Sequence, residues 1–358
     1  MTKLFEPIKI RELEIRNRVF IPAMCQYSCE NQDGIVNEWH LVHLGARAIG
    51  GAGMIIAEAT AVAPEGRITP WCTGIWNYEQ VAAWAKVTQF IRAQGATSAL
   101  QLAHAGRKAS VYRDWAGKGS VPLEKGGWQT VSSTSEAFEG YEAPRELETA
   151  EVYEVIQDFA EAAKRAVLAG FDAVEIHAAH GYLIHQFLSP ISNKRTDEFG
   201  GSLENRAKIL LEVVKAIRAE VGLAMPIFVR FSATDYREDG WDVEQTTQVA
   251  KWCADAGADM FDISSGGLIT GVKIPSGPGY QVPLAEHVAA EISEPVAAVG
   301  QITDAHQAEK ILQDGLVDII LVGRASLRDP QWALRAAHEL GVELDYWPNQ
   351  YYRGKFPE

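Results

Sequence analysis

Short apolar runs alternate with longer amphipathic stretches along this chain, and the alternation repeats eight times. A short apolar run between polar segments fits a buried strand, and a longer stretch with apolar residues three or four apart fits an outer helix. Eight such units predict a (β/α)8 barrel. An open doubly wound sheet would need fewer strands or a GxGxxG turn after the first strand, and that turn is absent. The predicted strands are Val19–Ile21, Met54–Ala57, Ser98–Leu102, Ala173–Ile176, Ile227–Phe231, Met260–Ile263, Val296–Val299 and Ile319–Val322.

The remaining segments predict how the barrel is completed. Lys9–Arg16 alternates apolar and polar residues and predicts a hairpin that closes the barrel bottom. Ala103–Ala150 is a long loop after the third strand, and such loops usually shape a site or a subunit contact. No Gly/Ser linker divides residues 1–358, which predicts one domain with 341–358 as a C-terminal tail. The predicted helices are Glu38–Ile49, Tyr78–Gln94, Ala150–Ala169, Ser202–Val221 with Ser202 as N-cap, Val243–Ala256, Pro283–Ile292, Asp304–Gln313 and Pro330–Leu340.

Composition excludes several classes of function. A net charge of −14 argues against a nucleic-acid surface. No run of about 18 apolar residues is present, so no membrane-spanning helix is expected. The first residues lack the basic-then-apolar pattern of a signal peptide. Four cysteines without a CxxC pair or zinc spacing favour a reduced, cytoplasmic setting.

The fourth predicted strand runs directly into a cluster of three ionisable rings, His177, His180 and Tyr182. In a barrel of this kind the chemistry gathers at the C-terminal ends of the strands. Two histidines three residues apart could bind zinc, but metal-dependent barrel hydrolases usually carry HxH after the first strand, and this chain has none there. Two purely structural histidines are a second alternative. We favour a pair of hydrogen-bond donors to a carbonyl oxygen, with Tyr182 as a proton donor and no metal.

The last two strand ends predict a phosphate site. Gly300 and Gly323 would let a backbone come close to a ligand, and Arg324 adds a guanidinium charge. The alternative is a pair of turn glycines and a surface arginine.

Arg230 and Gln101 are polar residues within otherwise apolar strands. A buried guanidinium must meet an anion or several acceptors, and an amide offers both donors and acceptors. The pair suits a planar heterocycle that carries carbonyls and ring nitrogens. Mutual hydrogen bonding inside the core is the alternative.

Several ordered segments resemble the Old Yellow Enzyme family of flavin-dependent ene-reductases, in its thermophilic-like or xenobiotic reductase branch. The resemblance extends from about Leu4 to Arg353. Its segments are IPAMCQYS, EATAVAPEGRITP, QLAHAGRKA, EIHAAHGYLIHQFLSPISNKRTDEFGGSLENR, VRFSATDY, AVGQITD and LVGRASLRDP.

The resemblance implies noncovalent FMN as cofactor. Its phosphate would lie at Gly300, Gly323 and Arg324, and Arg230 would face the N1 side of the flavin. The residues that would border the flavin ring are Pro22, Ala23, Met24, Cys25, Ala59 and Gln101.

The resemblance also implies an activity, in which NADPH or NADH reduces the flavin and the flavin reduces an α,β-unsaturated carbonyl or nitro compound. His177 and His180 would bind the substrate oxygen, Tyr27 would contact it, and Tyr182 would protonate the α carbon. Arg353, in the tail, would reach the site of a neighbouring subunit in a homodimer or homotetramer.

Three other functions remain open at this point. A phosphosugar isomerase or aldolase would need a lysine or carboxylate base at a strand end, and none stands out. A 2,4-dienoyl-CoA reductase would usually add an iron–sulfur cysteine cluster and a further domain. A barrel that only binds flavin is the non-enzymatic alternative. The preference between NADPH and NADH and the physiological substrate are not predicted, and the insertion around Arg113–Val131 leaves substrate preference open.

Overall fold

A closed barrel of parallel strands forms the centre of the structure, a computed structural model that describes residues 2–356. Each barrel strand pairs with its neighbours in parallel, and Ile320 opposite Val19 closes the ring. The predicted (β/α)8 barrel is therefore confirmed. The strands are β1 (Ile8–Ile10), β2 (Leu13–Ile15), β3 (Val19–Ile21), β4 (Met54–Ala61), β5 (Thr97–Ala103), β6 (Val131–Ser132), β7 (Arg145–Glu146), β8 (Ala173–Ala178), β9 (Ile227–Ser232), β10 (Met260–Ser264), β11 (Val296–Ala298) and β12 (Ile319–Leu321).

Helices cover the outside of the barrel and follow the predicted order. Ser202 caps α5 as predicted, because its side chain accepts a hydrogen bond from the Asn205 N–H. Among residues 2–356 no helix is long and apolar enough to cross a membrane. The helices are α1 (Glu38–Ile49), α2 (Tyr78–Ala93), α3 (Thr149–Leu168), α4 (Leu183–Leu188), α5 (Leu203–Val221), α6 (Val243–Ala256), α7 (Val282–Ala289), α8 (Ala305–Gln313), α9 (Arg324–Arg328) and α10 (Trp332–Glu339).

The N-terminal hairpin is also confirmed. Strands β1 and β2 pair antiparallel, with Ile8 opposite Ile15. Ile8, Ile10 and Ile15 are buried and pack with the apolar residues inside the barrel. The hairpin precedes β3, so it closes the end of the barrel at which the strands begin.

The barrel interior changes from apolar to polar along several strands, of which β9 and β10 are the clearest. Because side chains alternate between the two faces of a strand, Phe228, Arg230 and Ser232 of β9 share the inner face. On β10 the same inner face carries Met260 and Asp262. Phe228 and Met260 belong to the inner apolar cluster. The apolar layer thus supports a charged layer just below the strand ends.

Four local features differ from the sequence expectations. Strand β4 continues to Ala61 through a bulge between Ala57 and Thr60, so Ala59 lies within the strand and not after it. The long loop carries the small β6–β7 sheet, and the segment after β8 contains the short helix α4. Gly323 is the N-cap of the short helix α9, which ends before Pro330 because proline lacks the N–H that would continue it.

Candidate active site

A charged layer inside the barrel lies directly beneath the strand ends. The Gln101 side-chain amide donates to Glu175 Oε1 at 2.7 Å. Arg230 Nε lies 2.9 Å from Asp262 Oδ2. All four side chains are buried. The alternative that Arg230 and Gln101 bond to each other is wrong, because each pairs with a carboxylate that sequence reasoning had not singled out.

The Arg230 guanidinium keeps donors free. It carries five N–H donors, and its one ion pair among residues 2–356 is with Asp262. Burial, and next the facing Asp262, raise the pKa of Glu175, which favours its neutral form, while Arg230 opposes the rise. A buried cation with unfilled donors fits a bound ring that presents acceptors or negative charge.

His177 and His180 come together at the end of β8, as predicted. Their ring centroids are 5.2 Å apart and the rings are nearly perpendicular, at 88°. His177 Nδ1 accepts from the Ala179 N–H at 3.2 Å, so a neutral His177 carries its proton on Nε2. His180 Nε2 lies 2.8 Å from Ser264 Oγ. Burial, reinforced by Arg230, lowers the pKa of both histidines well below the ordinary value.

The backbone at His180 is held in an uncommon conformation. His180 has φ +57° and Gly181 has φ +73°, both in the left-handed region. A Cβ atom on Gly181 would lie 2.3 Å from the Gly267 carbonyl oxygen, so the two loops touch through backbone. The His180 N–H donates to Ser232 Oγ at 2.9 Å. His177 and His180, which we name the clamp, are therefore held by a tightly packed backbone.

The His185–Asp235 pair holds the backbone at Gly181 in place. Both are fully buried, and His185 Nε2 lies 3.0 Å from Asp235 Oδ1. The Gly181 N–H donates to His185 Nδ1 at 2.9 Å, which ties the pair to the loop between the clamp and Tyr182. Asp235 also accepts from Ser189 Oγ at 2.6 Å. In the sequence His185 belonged to no cluster, because its partner lies far along the chain.

Tyr182 lies next to the clamp. Its ring centroid is 4.9 Å from that of His177. Burial is the main reason that the pKa of Tyr182 lies well above its ordinary value, so the hydroxyl keeps its proton at neutral pH. Lys108 Nζ lies 5.2 Å from the centre of the ring and donates to the His180 and Gly267 carbonyls at 2.8 and 2.9 Å. Lys108 belongs to the QLAHAGRKA segment, but sequence reasoning gave it no role.

The loop after β3 carries Cys25 and Tyr27 to the same end of the barrel as Tyr182, which we call the barrel mouth. Tyr27 has φ +50°, and its side chain hydrogen-bonds the Cys25 thiol. The buried Glu58 carboxyl group holds this loop, because its Oε2 accepts from the Gln26 N–H at 2.9 Å. Burial raises the pKa of Glu58 to about 8. Glu58 is a further buried acid to which sequence reasoning gave no role.

The predicted phosphate residues lie at the ends of β11 and β12. Gly300 has φ +124°, and a Cβ there would lie 3.0 Å from Gln281 Nε2. A Cβ on Gly323 would lie 3.6 Å from Pro22 Cγ and 3.9 Å from Met24 Sδ, which joins the last strand end to the first. Arg324 is exposed.

Arg353 lies away from these residues. Tyr346 stacks under Arg16 at 4.3 Å, and its hydroxyl oxygen accepts a hydrogen bond from Asn17 Nδ2 at 2.8 Å, next to the start of β3. Phe356 stacks on His338 at the end of α10 with a centroid distance of 4.2 Å. Both contacts are at the end of the barrel where the strands begin, opposite the C-terminal strand ends that carry the candidate site. The exposed Arg353 between them therefore does not reach its own chain's site.

Comparison with known proteins finds similarity over nearly the whole chain. The profile of the NADH:flavin oxidoreductase / NADH oxidase family matches residues 3–343. The NADPH dehydrogenase of Bacillus subtilis strain 168 is 44% identical over 352 residues, which are 98% of this chain and 99% of that protein. Morphinone reductase superposes with a TM-score of 0.79 at 29% identity, over 96% of this chain and 91% of its own. The Old Yellow Enzyme homologue from Zymomonas mobilis gives a TM-score of 0.78 at 26% identity, over 99% of each chain.

Proposed function

Because the chain belongs to the NADH:flavin oxidoreductase / NADH oxidase family, with Old Yellow Enzyme relatives, we propose that it reduces the activated C=C bond of α,β-unsaturated carbonyl compounds. The family makes it an FMN-dependent oxidoreductase that uses NADPH or NADH. Bound FMN supplies the hydride transfer from the nicotinamide to the substrate. The observation that carries the proposal is the grouping of the His177, His180 and Tyr182 rings, where burial lowers the pKa of both histidines and raises that of the tyrosine.

The barrel mouth offers a fitting set of residues for FMN. Arg230 has unfilled donors for the acceptors of the ring, and Gln101 is the neighbouring amide. Gly300, Gly323 and Arg324 would hold the phosphate, since the two glycines allow close backbone approach and the arginine supplies charge. The residues proposed to border the ring are Pro22, Ala23, Met24, Cys25 and Ala59, together with Gln101.

The two histidines would bind the substrate oxygen. His177 offers Nε2–H, because its Nδ1 is occupied by the Ala179 N–H. His180 offers Nδ1–H when its Nε2 accepts from the Ser264 hydroxyl. Two donors on one oxygen stabilise the negative charge that develops there as the β carbon is reduced. Neutral histidines do this without a change of protonation, and the same donors would suit a nitro oxygen.

Tyr182 would complete the reduction by protonating the α carbon. Its raised pKa keeps the proton on the hydroxyl until a strongly basic carbon forms. Tyr27 would contact the substrate oxygen from the other wall of the mouth. The Cys25 thiol next to it stays neutral, since burial raises its pKa well above the ordinary value.

Turnover of 2-cyclohexenone by the FMN-loaded protein tests the proposal. With NADPH the wild type should form cyclohexanone, and His177→Ala should lower kcat/KM by about a hundredfold, as loss of an oxyanion donor does. His306→Ala, on the outer helix α8, is the matched control and should keep wild-type activity. A wild-type holoenzyme that NADPH reduces but that leaves the enone unchanged would end the proposal.

We also propose a cytoplasmic homodimer or homotetramer. The four cysteines are all free thiols, which suits a reducing compartment. Arg353 is exposed on the side of its own barrel opposite the site, so it could act as a substrate contact only in another copy of the chain. Light scattering tests the assembly, and a particle with the 39.3 kDa mass of one chain would contradict it.

A further inference from the structure

A hairpin turn within the long loop after β5 lies next to Tyr27. The Tyr112 N–H donates to the Gly119 carbonyl at 3.1 Å, and Val121 N–H to the Ser110 carbonyl at 2.7 Å. These bonds close the segment 112–119, which we name the 112–119 turn. It is therefore a fixed structure and not a free connection.

Arg113 fastens this turn to the wall of the site. Its Nη1 donates to the Tyr27 carbonyl at 3.1 Å, and its two terminal nitrogens bind the Glu30 carboxylate at 2.7 and 3.1 Å. The guanidinium also lies over the ring of Trp71 at 4.6 Å and near that of Trp115 at 5.4 Å. One side chain thus sets the position of both Tyr27 and Trp115.

Trp115 presents an open aromatic surface next to Tyr27. Trp115 is 65% exposed, although its ring centroid lies only 6.2 Å from that of Tyr27. The Cys25 thiol is the main cause that raises the pKa of Tyr27, and burial is the main cause for Tyr182. The Asp114 carboxylate raises both pKa values further. The turn therefore lies close to both tyrosines of the site.

From this geometry we propose that Trp115 is a specificity-determining residue, which binds an aromatic ring on the part of the substrate that extends from the clamp toward solvent. The inference rests on the proposed function and names its preferred substrate class, α,β-unsaturated carbonyl compounds with an aryl group on the β carbon. Such a ring would lie against Trp115 while the carbonyl oxygen is held at His177 and His180.

The preference for an aryl group would arise because the Trp115 ring is held in position before a substrate binds. A tryptophan fixed by a guanidinium loses little conformational freedom when a second ring packs on it. Offset or edge-to-face packing of two rings is favourable beyond the area that it buries. A substrate without the ring, such as 2-cyclohexenone, makes no use of this surface.

Equilibrium binding to the oxidised holoenzyme tests the role of Trp115. The change in flavin absorbance gives Kd for cinnamaldehyde and for 2-cyclohexenone in each variant. Trp115→Ala should raise the ratio of the cinnamaldehyde Kd to the cyclohexenone Kd by about tenfold, and Trp115→Phe should restore most of the loss. Leu123→Ala, a 72% exposed apolar residue of the same long loop, should leave the ratio unchanged.

Two results would overturn the inference. An equal loss of affinity for both compounds would show that Trp115 only supports Tyr27. A smaller particle in light scattering for Trp115→Ala would assign the exposed ring to a subunit contact. A wild type that binds both compounds and turns over neither would end the proposed function and leave the comparison of Kd ratios intact.

Discussion

At the scale of single residues, the site depends on buried acids more than on exposed ones. Glu58 holds the loop that carries Cys25 and Tyr27 by accepting the Gln26 N–H. His40 Nε2 lies 3.6 Å from its other oxygen, but burial lowers the pKa of His40 to about 4, so that histidine is neutral at pH 7. Glu58 therefore has no full ion pair, and its environment favours the protonated acid.

The raised pKa of Glu58 predicts a specific pH dependence of stability. Folding raises this pKa from 4.5 to about 8, so the folded state binds a proton that the unfolded state releases between these values. Stability from this group is therefore lost as the pH rises through that window, by up to about 1.4 kcal/mol per pH unit. Glu58→Gln can still accept the Gln26 N–H but has no proton to lose.

Thermal unfolding between pH 5 and pH 9 measures this effect. The Tm of Glu58→Gln minus that of the wild type should increase from pH 5 to about pH 8 and change little above it. Other buried acids cancel in the difference, since both proteins contain them. Glu65→Gln, at an exposed position, is the control and should show a constant difference. A constant difference for Glu58→Gln as well would mean that Glu58 is ionised in the folded protein throughout.

Residues were predictable from the sequence where their partners lie nearby in the chain. His177, His180 and Tyr182 stand within six positions, and the structure brings their rings together. Glu175 and Asp262 were missed because each is a single acid in an apolar strand, and its partner lies on a neighbouring strand. Only the register of the barrel creates these pairs.

At the scale of elements, the loop between β8 and α4 is the part of the site with least freedom. Gly181 has φ +73°, and its missing side chain allows the loop to touch Gly267 backbone. On the other side, the His185–Asp235 pair holds the Gly181 N–H through His185. The position of the clamp is thus set by contacts on both sides of one glycine.

Substitution of this glycine should separate steric fit from backbone conformation. Gly181→Ala forces a Cβ against backbone atoms and should shift the clamp, with kcat/KM for an enone lowered by about a hundredfold. Gly315→Ala is the matched control, because Gly315 also has φ +73° but has nothing within 4 Å of its Cβ position. It should cost about 1–2 kcal/mol of stability and leave kcat/KM intact. Equal kinetic losses in both variants would contradict the packing argument.

The elements themselves were largely predictable, and the exceptions have physical causes. Eight apolar runs predicted eight barrel strands, because parallel strands buried on both faces are apolar along their length. The β6–β7 sheet and α4 were not predicted, since two-residue strands and a six-residue helix carry no periodicity. The bulge in β4 depends on pairing with β5 and leaves no local signal.

At the scale of the whole molecule, the barrel separates stability from chemistry. Apolar residues and the hairpin fill the end where the strands begin, and the charged layer and the clamp occupy the other end. The C-terminal tail is bound to the stable end through Tyr346 and Phe356. Because of this division, the loops at the strand ends can differ in sequence without changing the apolar core.

In the proposed reaction, Tyr182 gives the proton to a substrate held by His177 and His180. Rapid-mixing kinetics of Tyr182→Phe measures this step directly, because flavin absorbance follows the two half-reactions separately. Reduction by NADPH should remain nearly unchanged, while reoxidation by 2-cyclohexenone should slow by about a hundredfold, as for loss of a general acid. Equal slowing of both half-reactions, or of neither, would contradict the assignment of Tyr182 as proton donor.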